Sequence, residues 1–135
     1  MPLILVRHAW AGKRAEWHGD DSKRPLDERG RRQAQELVER LASLPVEEIH
    51  TSPFTRCVET VEPLAAARGL EPILRDELGE ERQWRDGAEV VRELAARDVV
   101  VCGHGGLEAA LVEPPKWRKG AVFVIDRALR VTAEL

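Results

Sequence analysis

The stretch Leu3-Ile4-Leu5-Val6-Arg7-His8 decides the reading of this chain. Four aliphatic residues in a row have the pattern of an interior strand of a parallel sheet, covered on both faces. The run then stops at an arginine and a histidine. In open α/β sheets, ligands sit beyond the carboxyl ends of the strands. Arg7 and His8 therefore fall where chemistry is done. An arginine supplies a planar clamp for anions, and a neutral imidazole supplies a nucleophile or base near neutral pH.

Working outward, strands and helices alternate. After strand Leu3–Val6, residues 9–23 read as a long polar loop holding Trp10, Trp17 and His18. Asp27 has the chemistry of a helix N-cap, and Ala34, Leu37, Val38 and Leu41 follow at helical spacing on one apolar face. Residues 46–51 read as a second strand. Ser52-Pro53 then reads as an N-cap and first helical position, opening a helix that runs to about Arg68, with Pro63 kinking it or removing a turn and Gly69 stopping it. Residues 70–74 give a third strand, residues 77–86 an acidic loop, and residues 88–97 a helix. Val99-Val100-Val101-Cys102 is a buried strand, followed by Gly103-His104-Gly105-Gly106 and a short helix over 107–112. Residues 121–125 and 129–133 read as a closing hairpin around Asp126-Arg127. The alternation predicts an α/β fold. It is a three-layer sandwich with a mostly parallel central sheet and a C-terminal antiparallel hairpin.

Three strand ends then carry chemistry at one edge of the sheet. Strand one ends in Arg7-His8, strand two in Thr51-Ser52 with Arg56 one turn into the next helix, and strand four in Gly103-His104. Arg56 adds a second hint. A cation in the first turn of a helix opposes the helix dipole, and a bound anion there reverses the sign of that penalty. The alternative is an Arg56 that points to solvent. His18 and His50 are read as non-functional, one in a polar loop and the other on a weak strand.

Composition narrows the class. The chain has 135 residues, a length that suits one domain spanning residues 1–135, and 43% of them are apolar, enough for one core. A formal net charge of −3, from 21 basic and 24 acidic residues, gives no case for nucleic acid or an anionic membrane as partner. The two cysteines, Cys57 and Cys102, form no Cys-x-x-Cys pair and read as reduced thiols. No stretch reads as a leader peptide or as a run of about 18 apolar residues that could span a bilayer. The expectation is a cytoplasmic protein.

At these residues the chain resembles the histidine phosphatase superfamily, the phosphoglycerate-mutase-like fold. The family's opening Arg-His-Gly signature corresponds to Leu5-Val6-Arg7-His8-Ala9. Its Ser-Pro-x-x-Arg-x-x-x-Thr segment corresponds to Ser52-Pro53-Phe54-Thr55-Arg56-Cys57-Val58-Glu59-Thr60, and its second histidine to His104. Arg24-Pro25-Leu26-Asp27-Glu28-Arg29-Gly30 resembles the Arg-Pro-Leu-x-x-x-Gly segment of the short phosphohistidine phosphatases. Trp17-His18-Gly19-Asp20-Asp21 and Lys119-Gly120-Ala121-Val122 are similar to the phosphatase domain attached to some Nudix hydrolases. Two departures stand out. Ala9 replaces the signature glycine, and the run from Leu78 to Asp98 is shorter than the insertion of larger relatives, which favours an open site.

The resemblance implies phosphoryl transfer to His8 and then to water, with Arg7 and Arg56 gripping the phosphoryl oxygens and His104 adding a donor. It implies no metal and no cofactor. It places Glu77 as the acid for the leaving group, with Glu80 and Glu81 as competitors in the same loop. Protein phosphohistidine is the substrate implied first, and nucleoside diphosphates or small phosphoesters second. Trp10 and Trp17 could stack a base, cover the pocket or cap the core. Three other classes fit the residues less well. A non-catalytic phosphate-recognition module would be signalled by loss of His8 or His104, and both are present. A metal hydrolase lacks any His-x-His or His-x-x-x-His pair, and a nucleotide-binding domain lacks Gly-x-Gly-x-x-Gly after strand one.

Overall fold

The structure, a computed structural model, describes residues 2–135. The opening aliphatic run forms β1 (Leu3–Arg7) at the heart of a six-stranded sheet of order β3-β2-β4-β1-β5-β6. Here β2 is Glu48–Thr51, β3 is Ile73–Leu74, β4 is Val99–Gly103, β5 is Val122–Ile125 and β6 is Val131–Glu134. The first four strands of that order run parallel, and the hairpin β5-β6 adds antiparallel to β1.

Why β1 is apolar from Leu3 to Val6 follows from its two faces. Leu3 and Leu5 pack with Val99, Val101, Phe123 and Ile125 against Val90, Val91 and Leu94 of helix α3 (Ala88–Leu94). Ile4 and Val6 pack with Val100, Cys102 and Ile49 against Leu37 of α1 (Glu28–Arg40) and Val61 and Leu64 of α2 (Thr55–Arg68). This makes the three layers that alternation of strands and helices requires. Both cysteines are buried and free.

Local chemistry sets the helix ends. The Asp27 carboxylate accepts from Gly30 N at 2.8 Å and caps α1. Gly30 itself lies against the Trp10 carbonyl so closely that a Cβ would overlap it. Helix α2 ends at Gly69 as expected, and it is continuous through Pro63.

Four expectations are corrected. Helix α2 starts two residues later than Ser52-Pro53 implied, with Phe54 at the N-cap, because Ser52 Oγ accepts from Phe54 N in a local turn. The third strand shrinks to two exposed residues, since Pro72 has no N–H to give to the ladder at this sheet edge. The acidic loop is instead folded, with a 3-10 turn over Asp76–Leu78 and a π-helical turn over Gln83–Gly87 that leads straight into α3. Helix α3 stops at Leu94, where Ala96 takes a φ of 67° and turns the chain into β4.

Candidate active site

His8 continues the sheet ladder past the end of β1, its N–H donating to Gly103 O of β4 at 3.0 Å. The register pairs Arg7 with Gly103 and Thr51 with Cys102, so the ends of β1, β2 and β4 are level. The His8 ring is buried, 5% exposed, and Nδ1 donates to the Ala9 carbonyl at 2.8 Å. A carbonyl only accepts, so the proton is on Nδ1 and the lone pair on Nε2. Burial drives the His8 pKa down to about 3; the Ala9 carbonyl opposes this, and the nearby charges of His104, Arg56 and Arg7 add to it. The ring is a neutral imidazole at neutral pH.

His104 faces it edge-on, with ring centroids 5.4 Å apart and planes at 64°. Its Nε2 lies 2.9 Å from Ser52 Oγ and 3.6 Å from Cys57 Sγ, and the Phe54 ring flanks it at 4.8 Å. One amide side chain locks its backbone. Gln83 Oε1 accepts from His104 N at 3.0 Å, and Gln83 Nε2 donates to His104 O and Gly105 O, each at 2.9 Å.

The two arginines approach from opposite sides of the sheet edge. Arg7 donates from Nη1 to Trp117 O at 2.9 Å and lies flat against Gly105, where a Cβ would come within 2.8 Å of Nη2. Only glycine leaves room for that stacking. Arg56 is fully buried. It donates to Asp21 O at 2.9 Å, to Asp21 Oδ2 at 3.1 Å and to Glu80 Oε2 at 3.2 Å. The Thr60 hydroxyl donates to Arg56 O at 2.7 Å and accepts from Ala9 N at 3.0 Å, tying the two segments together.

Five buried side-chain N or O atoms lack a hydrogen bond among the described residues, and Arg7 Nε, Arg56 Nε and His104 Nδ1 are three of them. A buried unpaired polar group costs about 1–3 kcal/mol, and a bound oxyanion is one partner that can satisfy three of them near His8. Carboxylates stand there now. Glu80 bridges Arg14 at 2.8 Å and Arg56, and its Oε1 is 4.0 Å from His104 Nδ1. Asp21 joins it on Arg56. Partial burial pushes the Asp21 carboxyl up, but Arg24, Arg56 and Arg14 outweigh this and hold it below its usual range.

Arg7, His8, Arg56 and His104 are thus brought together, but Glu77 is not. It pairs with Arg75 at 3.1 Å, in a groove shared with Arg82, Asp86 and Glu93. Arg75 holds its carboxyl below the usual range, which is wrong for a proton donor. The carboxylate of that loop that reaches the site is Glu80, because the 3-10 turn sends Glu77 to the other side. Four residues that sequence reasoning gave no role are also here: Ser52, Thr60, Gln83 and Asp21. Ser52 and Thr60 lie inside the Ser-Pro-x-x-Arg-x-x-x-Thr segment. Nothing in the sequence marked Gln83.

His18 is exposed, and His50 bonds to Glu48 within β2 at 3.0 Å. Trp117 is a core residue, Trp84 is 79% exposed, and Trp17 donates to Asp20 O at the surface. Trp10 lies under two cations, Arg29 at 4.3 Å and Lys119 at 4.4 Å from the ring centre. Among the described residues no group of three or more His, Cys, Asp or Glu side chains is arranged to hold a metal ion. No helix among them is long and apolar enough to cross a membrane.

The 8-oxo-(d)GTP phosphatase of Mycolicibacterium smegmatis is 36% identical over 118 residues, covering 82% of this chain and 36% of that protein. The chain spans between a fifth and a half of the length of the curated relatives it matches. Among solved structures, the protein histidine phosphatase SixA complexed with tungstate superposes with a TM-score of 0.81 at 21% identity, covering 100% of this chain and 96% of that one. A putative phosphohistidine phosphatase SixA from Agrobacterium tumefaciens gives 0.81 at 23% identity, covering 99% and 96%. The fold is that of these phosphoglycerate-mutase-like neighbours, and residues 3–88 match the histidine phosphatase superfamily, branch 1, to which this chain belongs.

Proposed function

We propose that the chain is a phosphatase working through a phosphohistidine on His8. The observation that carries this reading is the set of unpaired donors, Arg7 Nε, Arg56 Nε and His104 Nδ1, gathered around a neutral imidazole whose other nitrogen is already bonded. Phosphoryl transfer spreads negative charge over the equatorial oxygens, and catalysis consists mainly of positioning and charge stabilisation. Arg7 and Arg56 meet those oxygens with paired N–H groups. His8 Nε2 attacks phosphorus in line with the leaving oxygen. Water then attacks the phosphohistidine and releases orthophosphate.

For the phosphate to reach Arg56, the carboxylates of Asp21 and Glu80 give up their places on it. Glu80 ends up beside the leaving group, and we assign it, in place of Glu77, the contact with that group. Of the two substrate classes, a small phosphorylated molecule is favoured. The relative at 36% identity is named for a nucleotide, whereas the likeness to the SixA structures is one of fold.

The test is hydrolysis of p-nitrophenyl phosphate in the presence of EDTA by the unmodified chain and by His8→Ala. The reading requires turnover by the first and a loss well beyond the roughly hundredfold expected for removing one donor in the second. Equal rates in the two proteins would refute it.

A further inference from the structure

We propose that Lys119 and Arg29, both seated on Trp10, form a second anion subsite beside His8 that holds the leaving phosphate of a diphosphate substrate. This deepens the phosphatase reading and rests on it.

Lys119 is built into the site by backbone. Gly120 N donates to His8 O at 3.0 Å and to Arg7 O at 3.2 Å, so the residue before it stands next to the nucleophile. Gln33 fastens the same corner, accepting from Trp10 N at 3.0 Å and donating to Lys119 O at 3.3 Å. The Lys119 ammonium and the Arg29 guanidinium both lie over the Trp10 ring. A cation on an aromatic face keeps its N–H groups free for an anion. Lys119 makes no ion pair among the described residues, although it is half-buried.

The electrostatics around Lys119 have the same sense. Burial pulls its ammonium below the ordinary value, and Arg7, Arg24 and Arg56 pull it further, with Asp27 alone opposing them. A cation confined among cations is relieved by a bound anion. The first phosphate answers Arg7 and Arg56. Lys119 and Arg29 are left over, and a single phosphoryl group leaves them unanswered.

Leaving-group chemistry explains why this matters. An alkoxide needs a proton as it departs, but a phosphate departs as a weakly basic anion and needs cations instead. Even after leaving Arg56, Glu80 keeps its pair with Arg14, whereas Lys119 and Arg29 have no carboxylate partner among the described residues. His8 Nε2 bonds to the terminal phosphorus. The bridging P–O bond breaks, and its electron pair leaves on the monophosphate, held at Lys119 and Arg29. Water then displaces His8 from phosphorus, giving orthophosphate and a proton and restoring the neutral imidazole. The sum is diphosphate plus water to monophosphate plus orthophosphate.

The experiment compares guanosine diphosphate with p-nitrophenyl phosphate for the unmodified chain, Lys119→Met and Lys119→Arg, with the thermal midpoint measured for each. The unmodified chain turns over the diphosphate. In Lys119→Met the ratio of kcat/KM for the diphosphate to that for the monoester falls by about tenfold, through KM, and Lys119→Arg restores most of it. A parallel fall on both substrates, no change on either, or turnover of the monoester without the diphosphate overturns the subsite and leaves the phosphatase reading standing. No turnover of either substrate overturns both.

Discussion

His8 and His104 stand edge to face, 5.4 Å apart, and are anchored through opposite nitrogens. His8 is held through Nδ1 by the Ala9 carbonyl, and His104 through Nε2 by the Ser52 hydroxyl. That leaves Nε2 of one ring and Nδ1 of the other without a hydrogen-bond partner among the described residues. In the mechanism proposed above, one ring serves as nucleophile and the other as donor to the same phosphoryl group, and each depends on its anchor.

The state of His8 is open to direct test. Its folded pKa of about 3 lies below the ordinary 6.5, so the unfolded chain binds the extra proton as pH drops below that ordinary value. Its contribution to stability is therefore full above 6.5 and is lost as pH falls from there toward 3. A heteronuclear NMR titration is expected to show a neutral His8 ring, protonated on Nδ1, from about pH 8 to about pH 5. A midpoint near the ordinary value would contradict the burial argument.

Thr60 links the two halves of the site through one hydroxyl, giving to Arg56 O and taking from Ala9 N. Thr60→Val keeps the shape and leaves Ala9 N unpaired, at about 1–3 kcal/mol in stability. Because it also loosens His8 relative to Arg56, kcat is expected to fall about tenfold or more. Thr60→Ser should recover most of both, as measured by thermal melts and steady-state kinetics.

Gln83 makes three hydrogen bonds to the His104 segment from one buried amide. Gln83→Ala removes all three and is expected to lower kcat by about tenfold or more, with a smaller change in KM. Release of the His104 ring should show as broadening of its NMR signals. A variant with full kcat and a sharp His104 spectrum would remove Gln83 as a positioning residue.

Glu80 and Glu77 separate by their partners. Glu80 occupies Arg56, and Glu77 occupies Arg75. Glu80→Gln takes a negative charge out of the cradle, and competitive inhibition by orthophosphate should tighten by about fivefold, as expected for a half-exposed pair worth up to ~1 kcal/mol. Glu77→Gln should leave that inhibition unchanged. The reverse pattern would return Glu77 to the site.

Much of this was legible in the sequence, for definite reasons. Leu3–Val6 and Val99–Cys102 are apolar on both faces because each lies between helix layers, and such strands announce themselves. Their ends then place Arg7, His8 and His104 without further help. Arg56 was readable because a cation in a first helical turn is out of place without an anion. What stayed hidden depends on chain reversals. The turn over Asp76–Leu78 decides which of Glu77 and Glu80 faces inward, and alternating acidic residues carry no record of that. Gln83 looks like any surface glutamine until the π-helical turn buries it. Lys119 looks like any exposed lysine until Gly120 is bonded to the His8 carbonyl.

The most direct measurement is rapid chemical quench with a substrate labelled in the transferred phosphate. The account predicts an acid-labile, base-stable label on the protein during turnover, mapped to His8 and missing from His8→Ala. Turnover without any such label, or label persisting in His8→Ala, would contradict it.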